Sequence, residues 1–414
     1  MAAQDLSLPG LGCCLRLVNA PEVARALATA LPGWPITARP ARGSAPAIRL
    51  YRCGDGYRQY APELPTGLDL PTVTAAVCSL IADLAGEALA GDRHRDRAPD
   101  RVQEQGLIGL HCGSVEIDGR LAIFPEAHRA GKSTLSVACA AAGYRVFGDD
   151  VLGLTPAGEG MALGIAPRLR LPLPEILPPE LVDYIHRRAG PEDAHYRYVI
   201  PEAEERAAHG ESRPLGAIVL LERDAGLTAP EVVRLAPGEG LVQLLTQNFA
   251  YDLTHEALMP RLVPLMERLP CLLLRYAEPL AAARELARVL RTPEADETTS
   301  MAEAARMTPR RGVECPAHGR WRASPNASAH ALGDELFLIH RPSGAIHRLN
   351  ATGHAVWALL AEEALSVDEL ADCLAEHFDR PLAAVARDLR ILMGGLLEAG
   401  LVIPTGASFL AATG

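Results

Sequence analysis

The stretch from residue 120 to residue 154 constrains the fold more than any other. An apolar run, Arg120-Leu121-Ala122-Ile123-Phe124, leads into a short loop that ends Ala130-Gly131-Lys132-Ser133-Thr134. A small-residue helix follows from Lys132 to Ala142, stopped by Gly143, and a second strand is expected from Tyr144 to Leu154. Strand, loop, helix and strand in that order read as an α/β core. A Gly-Lys-Ser at such a junction has a specific physical use. Backbone N–H groups at a helix N-terminus cradle phosphate, the lysine reaches the outer phosphates, and the next hydroxyl meets Mg²⁺. Those roles fall to Lys132 and Ser133, with Arg129, Ala130, Gly131 and Thr134 completing the candidate nucleotide-binding loop. The full phosphate-loop pattern places a first glycine at position 126, where this chain has Glu126. A carboxylate there opposes a bound triphosphate, and His128 and Arg129 could offset its charge.

Composition singles out the same loop. Of 40 basic residues, 39 are arginine, and Lys132 is the only lysine. A compact, strongly hydrated ammonium is not replaced by a planar guanidinium at a point-charge site. The single surviving lysine therefore marks a position where arginine would not serve.

Acids flank the loop in sequence. The strand after the helix runs Arg145-Val146-Phe147-Gly148-Asp149-Asp150. Two acids at a strand end beside a phosphate loop suit metal handling by one and proton acceptance by the other, since neighbours on a strand face opposite ways. Upstream, His111-Cys112 precedes a hairpin marked by Asp118-Gly119 between two apolar runs. Arg168 and Arg170, in the strand-like Pro167 to Leu171, could each aim at phosphate.

Several function classes are excluded. With 49% hydrophobic and 22% charged residues the chain is an ordinary globular one. A net charge of -11 argues against a nucleic-acid binder. No apolar run is expected to span a membrane, and the N-terminus lacks the basic and apolar regions of a secretory signal. Nine scattered cysteines without a CxxC pair read as packed thiols of a cytoplasmic protein, with no structural metal site.

His111, Gly131-Lys132-Ser133 and Asp149-Asp150 together resemble the catalytic domain of the HPr kinase/phosphorylase family. The separations, 21 residues from His111 to Lys132 and 17 from Lys132 to Asp149, match that family's pattern. The resemblance implies an ATP- and Mg²⁺-dependent kinase acting on a serine or threonine of a protein or peptide. Lys132 and Ser133 would bind phosphate and metal, with Asp149 as base and Asp150 as metal or orienting partner. His111 would support Asp149 and contact the phosphorylated group. The chain departs from the family at Glu126 and at His128-Arg129, which stand where the family has Gly and Ser-Gly. A later glycine-rich signature that supplies a metal-binding glutamate is missing as well. HPr itself and the phosphorylase reaction are therefore not expected.

Residues 321–404 resemble the PqqD-like peptide-binding domain, also called a RiPP recognition element. The likeness is carried by Leu349-Asn350-Ala351-Thr352-Gly353-His354-Ala355-Val356-Trp357, by the capped helix starting at Ser366, and by Leu389 to Leu401. The family implies that a leader peptide adds as a strand to a hairpin edge, a mode in which backbone bonds give affinity and pockets give specificity. Here that edge is Ala345 to Leu349, with Ile346, His347 and Arg348 on it and Arg387, Arg390 and Ile391 on the third helix beside it. A winged-helix DNA binder is the alternative, disfavoured by the acidic charge.

The expected layout is a β-rich region over 1–105, an HPr-kinase-like P-loop α/β domain over 106–291, a linker over 292–320 and a small α+β winged-helix-like PqqD domain over 321–414. A homo-oligomer is compatible with it. The expected function is phosphorylation of a ribosomally made precursor captured by its leader. A decayed, nucleotide-binding peptide chaperone, or a kinase for a small metabolite or carrier protein, stays open.

Overall fold

The computed structural model describes residues 2–90, 106–125, 130–249, 253–292 and 319–405. Glu126, His128, Arg129 and nearly all of the expected linker fall outside them. The chain divides into two units, one formed by residues 1–252 with 269–302, the other by 253–268 with 303–414.

The first unit begins with a six-stranded sheet in the spatial order Thr37–Pro40, Ala3–Ser7, Leu15–Val18, Ile48–Cys53, Gly56–Ala61 and Leu64–Leu70. Helices Pro21–Ala30 and Val73–Ala90 share its core, with Val23, Leu27, Val77, Leu80 and Leu84 packed among Leu15, Leu17, Ile48 and Leu50. The first helix is an addition to the strands and hairpins expected before residue 70. Its signals are Pro21 at the first turn and a Val23, Leu27, Ala30 stripe. Val73–Ala90 is long and apolar enough to cross a membrane by length and composition, contrary to the expectation for this chain, because only Asp83 and Glu87 interrupt it. Half of it is buried in the core, and Gln59 donates to Asp83 Oδ2 at 2.6 Å.

A nine-stranded sheet carries the loop region. Arg145–Gly148, Gly113–Ile117 and Arg120–Phe124 lie side by side, and the hairpin between the last two turns at Asp118 and Gly119, both at positive φ (50° and 75°). Arg120–Phe124, Ser212–Arg223 and Cys271–Tyr276 run parallel to one another. Helices Lys132–Ala141 and Pro279–Arg291 pack together, their contact lined by Leu135, Ala138, Cys139, Ala282, Ala283 and Leu286. The strand expected over 144–154 is two strands. Arg145–Gly148 pairs with Gly113–Ile117, whereas Leu152–Leu154 pairs with Ile108–Leu110 and Glu159–Met161. The break depends on Gly148, where any Cβ would collide with the Val151 carbonyl. Asp149 and Asp150 sit in that break.

In the second unit, Ala327–Leu332, Glu335–His340 and Ala345–Leu349 form an antiparallel sheet, and Arg320–Ala323 pairs with Val402–Thr405 to join the two ends. Helices Ala351–Glu362, Val367–Phe378 and Leu382–Glu398 bury Val356, Trp357, Leu370, Leu389, Met393 and Leu396 against Leu336, Leu338 and Leu349. Asn350 caps the first helix and Ser366 with Glu369 forms the expected capping box on the second. Helix His255–Met266, expected within the α/β domain, belongs to this unit. Glu256 pairs with Arg341 at 3.0 Å, His255 Nδ1 lies 2.8 Å from the Gly344 carbonyl, and the helix packs on Ala327–Leu332.

Candidate functional sites

Gly131 opens the helix Lys132–Ala141 at φ 105°, a conformation that favours glycine. A Cβ there would lie 2.6 Å from Tyr276 Oη and 3.3 Å from Arg223 Cδ. Gly131→Ala is therefore expected to lower the melting temperature, the strained backbone alone costing about 1–2 kcal/mol. An unchanged melting curve would show that the turn relaxes freely. Lys132 starts the helix buried, only 5% exposed. Its charge acts on Asp150 and Cys112, which locates it at the acid pair. Ser133 lies on the same turn and hydrogen-bonds toward Asp149. Thr134 and Ala130 are half-buried beside it.

The two acids have different environments. Asp149 is 4% exposed. Its Oδ2 accepts a 3.0 Å hydrogen bond from the Arg168 backbone N–H, while its Oδ1 is buried with no hydrogen-bond partner among the described residues. Burial, then the neighbouring Asp150 charge, pushes its carboxyl up to about 7, against the pull of Arg168 and Ser133. Asp150 is half-exposed. Burial disfavours its charge too, but His111, Arg168 and Lys132 outweigh that and hold it below the ordinary carboxylate range. The pair thus combines one carboxylate fixed as an anion with one that can exchange a proton near neutrality.

His111, expected to support Asp149, contacts its neighbour Asp150, with Nε2 3.7 Å from Oδ1. Asp149 turns inward under Arg168 N–H, whereas its neighbour turns out toward the histidine. Gln247 fixes the imidazole: its Oε1 is 3.0 Å from His111 Nδ1, and its carbonyl accepts the His111 backbone N–H at 2.8 Å. The other ring nitrogen, Nε2, faces the Asp150 carboxylate. Phe249 packs at 5.4 Å from the ring.

Arg168 also differs from its expected part. Its guanidinium reaches Asp150 Oδ2 at 3.2 Å and stacks 4.8 Å from the Tyr196 ring. It clamps both acids, one through backbone and one through side chain. Arg170 points past Tyr196 at 5.9 Å and is exposed. Cys112 is fully buried, and burial raises its thiol to about 12, so it packs and does not react. No group of three or more metal-binding side chains occurs among the described residues. The donors present, Ser133 and Asp150 beside an orphan Asp149 oxygen, suit a Mg²⁺ carried largely by phosphate oxygens and not a protein-built cage.

Sequence reasoning missed Gln247, Phe249, Arg223 and Tyr276. Each reaches the site from far along the chain, with no local motif.

In the second unit, Ala345–Leu349 is an edge of its sheet, and no strand pairs with its outer side among the described residues. The opposite edge, Ala327–Leu332, receives the helix His255–Met266. Ile346 and His347 are half-buried, and burial lowers the His347 imidazole. Arg348 is held by Glu335 at 2.6 Å, so its charge is engaged within the hairpin. On the third helix, Arg387 and Arg390 are exposed and Ile391 is 52% exposed, an apolar side chain facing water.

No curated protein matches this chain. Among solved structures, it is similar to the chain described as "TbiB1 in Complex with the TbiA(beta) Leader Peptide", at 27% identity over 20% of this chain and 98% of that one, with a TM-score of 0.19. Residues 335–402 match the family model of coenzyme PQQ synthesis protein D (PqqD). The C-terminal unit therefore carries a PqqD domain.

Proposed function

We propose that the chain is an ATP- and Mg²⁺-dependent kinase that phosphorylates a serine or threonine of a ribosomally synthesised precursor peptide. The PqqD domain holds the leader, and the segment between the units raises the local concentration of the core peptide. One observation carries the kinase reading: the buried Asp149 Oδ1, without a hydrogen-bond partner among the described residues, lies beside the helix turn that presents Lys132 and Ser133.

The chemistry follows from that placement. Asp149 Oδ1 takes the proton of the acceptor hydroxyl as that oxygen bonds to the γ-phosphorus and the bond to the bridging oxygen breaks, releasing ADP. Lys132 and the N–H groups of the helix N-terminus stabilise charge on the phosphates. Asp150, held anionic by His111 and Arg168, keeps Asp149 protonatable and offers an oxygen to the metal with Ser133. Mg²⁺ when bound neutralises phosphate charge.

The PqqD match supports leader capture, and the unpaired strand edge at Ala345–Leu349 supports where it occurs. The test incubates the full chain with Mg–ATP and a precursor peptide encoded beside its gene. Mass spectrometry should find one added phosphoryl group on a Ser or Thr of the core and stoichiometric ADP. A peptide that binds without gaining phosphate would leave a peptide chaperone. Phosphorylation of a small metabolite in its place would make the PqqD domain an adaptor.

A further inference from the structure

Two parallel strands, Ser212–Arg223 and Cys271–Tyr276, end together beside the helix that starts at Lys132, running past the end of their parallel neighbour Arg120–Phe124, which feeds the loop. Ligands of α/β sheets bind outside such carboxyl ends. Arg223 and Tyr276 are register partners at the last position of their strands, and both converge on Gly131.

Their surroundings are unusual for structural residues. Glu222, Asp224 and Glu231, the nearby acids, are all bound by Arg275 at 2.9, 3.3 and 3.1 Å. Among the described residues no carboxylate pairs with Arg223, which is exposed and runs across the loop glycine. Beneath it, Tyr276 is 1% exposed and its hydroxyl has no hydrogen-bond partner among the described residues. A buried hydroxyl without a partner carries a desolvation cost that folding alone does not explain. A cation without an anion and a donor without an acceptor meet at one helix N-terminus.

We infer that Arg223 is the second polyphosphate-binding cation of this site, beside Lys132, and that Tyr276 Oη donates its hydrogen bond only when phosphate fills the loop. The ligand is the phosphate chain of a nucleoside triphosphate, so the inference rests on the phosphate-binding reading above.

Calorimetry with Mg–ATP on the full chain, paired with melting curves, tests it. Arg223→Ala should weaken binding about tenfold or more, as loss of a charge-assisted bond does, with the ligand-free melting temperature unchanged. Arg223→Lys should recover part of the loss. Tyr276→Phe should leave the ligand-free protein as stable or more stable, yet shrink the rise in melting temperature that Mg–ATP produces. A purely structural tyrosine gives the reverse pattern, a lower melting temperature with the ATP-induced rise intact, and overturns its part. Binding that depends on Lys132 but is untouched by Arg223→Ala overturns this inference alone. Wild-type protein that binds no Mg–ATP overturns it together with the kinase reading.

Discussion

Asp149→Asn is expected to slow phosphoryl transfer to the peptide by a factor on the order of 10³, the scale on which a general base acts, while leader binding stays at its wild-type level. Asparagine keeps the shape and an oxygen that can accept the Arg168 N–H, but it cannot take a proton. The wild-type rate should rise with pH through about 7 as Asp149 loses its proton, and the residual rate of the variant should lack that rise. Stability should move the other way. The folded pKa of Asp149 lies above its unfolded value, so its contribution is fully present below about pH 4 and is lost as pH rises through about 7. Asp150, depressed by His111, Arg168 and Lys132 against burial, contributes above the ordinary carboxylate range and loses that contribution as pH falls. Asp149→Asn removes only the first effect. The variant should melt higher than wild type at pH 8, and the difference should shrink toward pH 4. Equal rates in variant and wild type across that range would remove Asp149 as the base.

What the sequence made legible is local. Lys132, Ser133, Asp149, Asp150 and His111 were found because a short motif and fixed spacings mark them, and the structure gathers them around one turn. The helix Val367–Phe378 was readable for the same reason: its cap at Ser366 is a local signal. Partnership was not readable. Which acid His111 meets depends on how the chain breaks after Gly148, a matter of one carbonyl beyond it. For Arg168 the charge was visible in the sequence and its neighbours Asp150 and Tyr196 were not. Gln247 and Tyr276 lie 136 and 145 residues beyond the groups they meet, His111 and Gly131. Helix His255–Met266 carries an α/β-like position in sequence, and only its Glu256–Arg341 pair reveals that it packs with the PqqD domain.

A proline placed along Ala345–Leu349 should separate folding from leader capture. In an antiparallel pair, successive residues of a strand direct their N–H and C=O groups alternately toward the partner strand and away from it. Ile346 and His347 are consecutive and face Ile339 and Leu338 across the ladder, so one of them directs its N–H at Glu335–His340 and the other outward. Proline at the inward position removes a ladder bond and should lower the melting temperature of the domain. At the outward position it is tolerated, as prolines on sheet edges are. There it deletes a donor that an added strand must use and fixes φ, and leader affinity should fall on the order of tenfold to a hundredfold with the melting curve preserved. Anisotropy of a labelled leader peptide, read beside thermal melts of Ile346→Pro and His347→Pro, decides the matter. One variant should lose stability and the other should lose only the peptide. If the well-folded variant binds leader as wild type does, the peptide does not extend this sheet. Its site would then shift to the exposed face of Leu382–Glu398, where Ile391, Arg387 and Arg390 offer side-chain contacts that no backbone substitution in the hairpin would disturb.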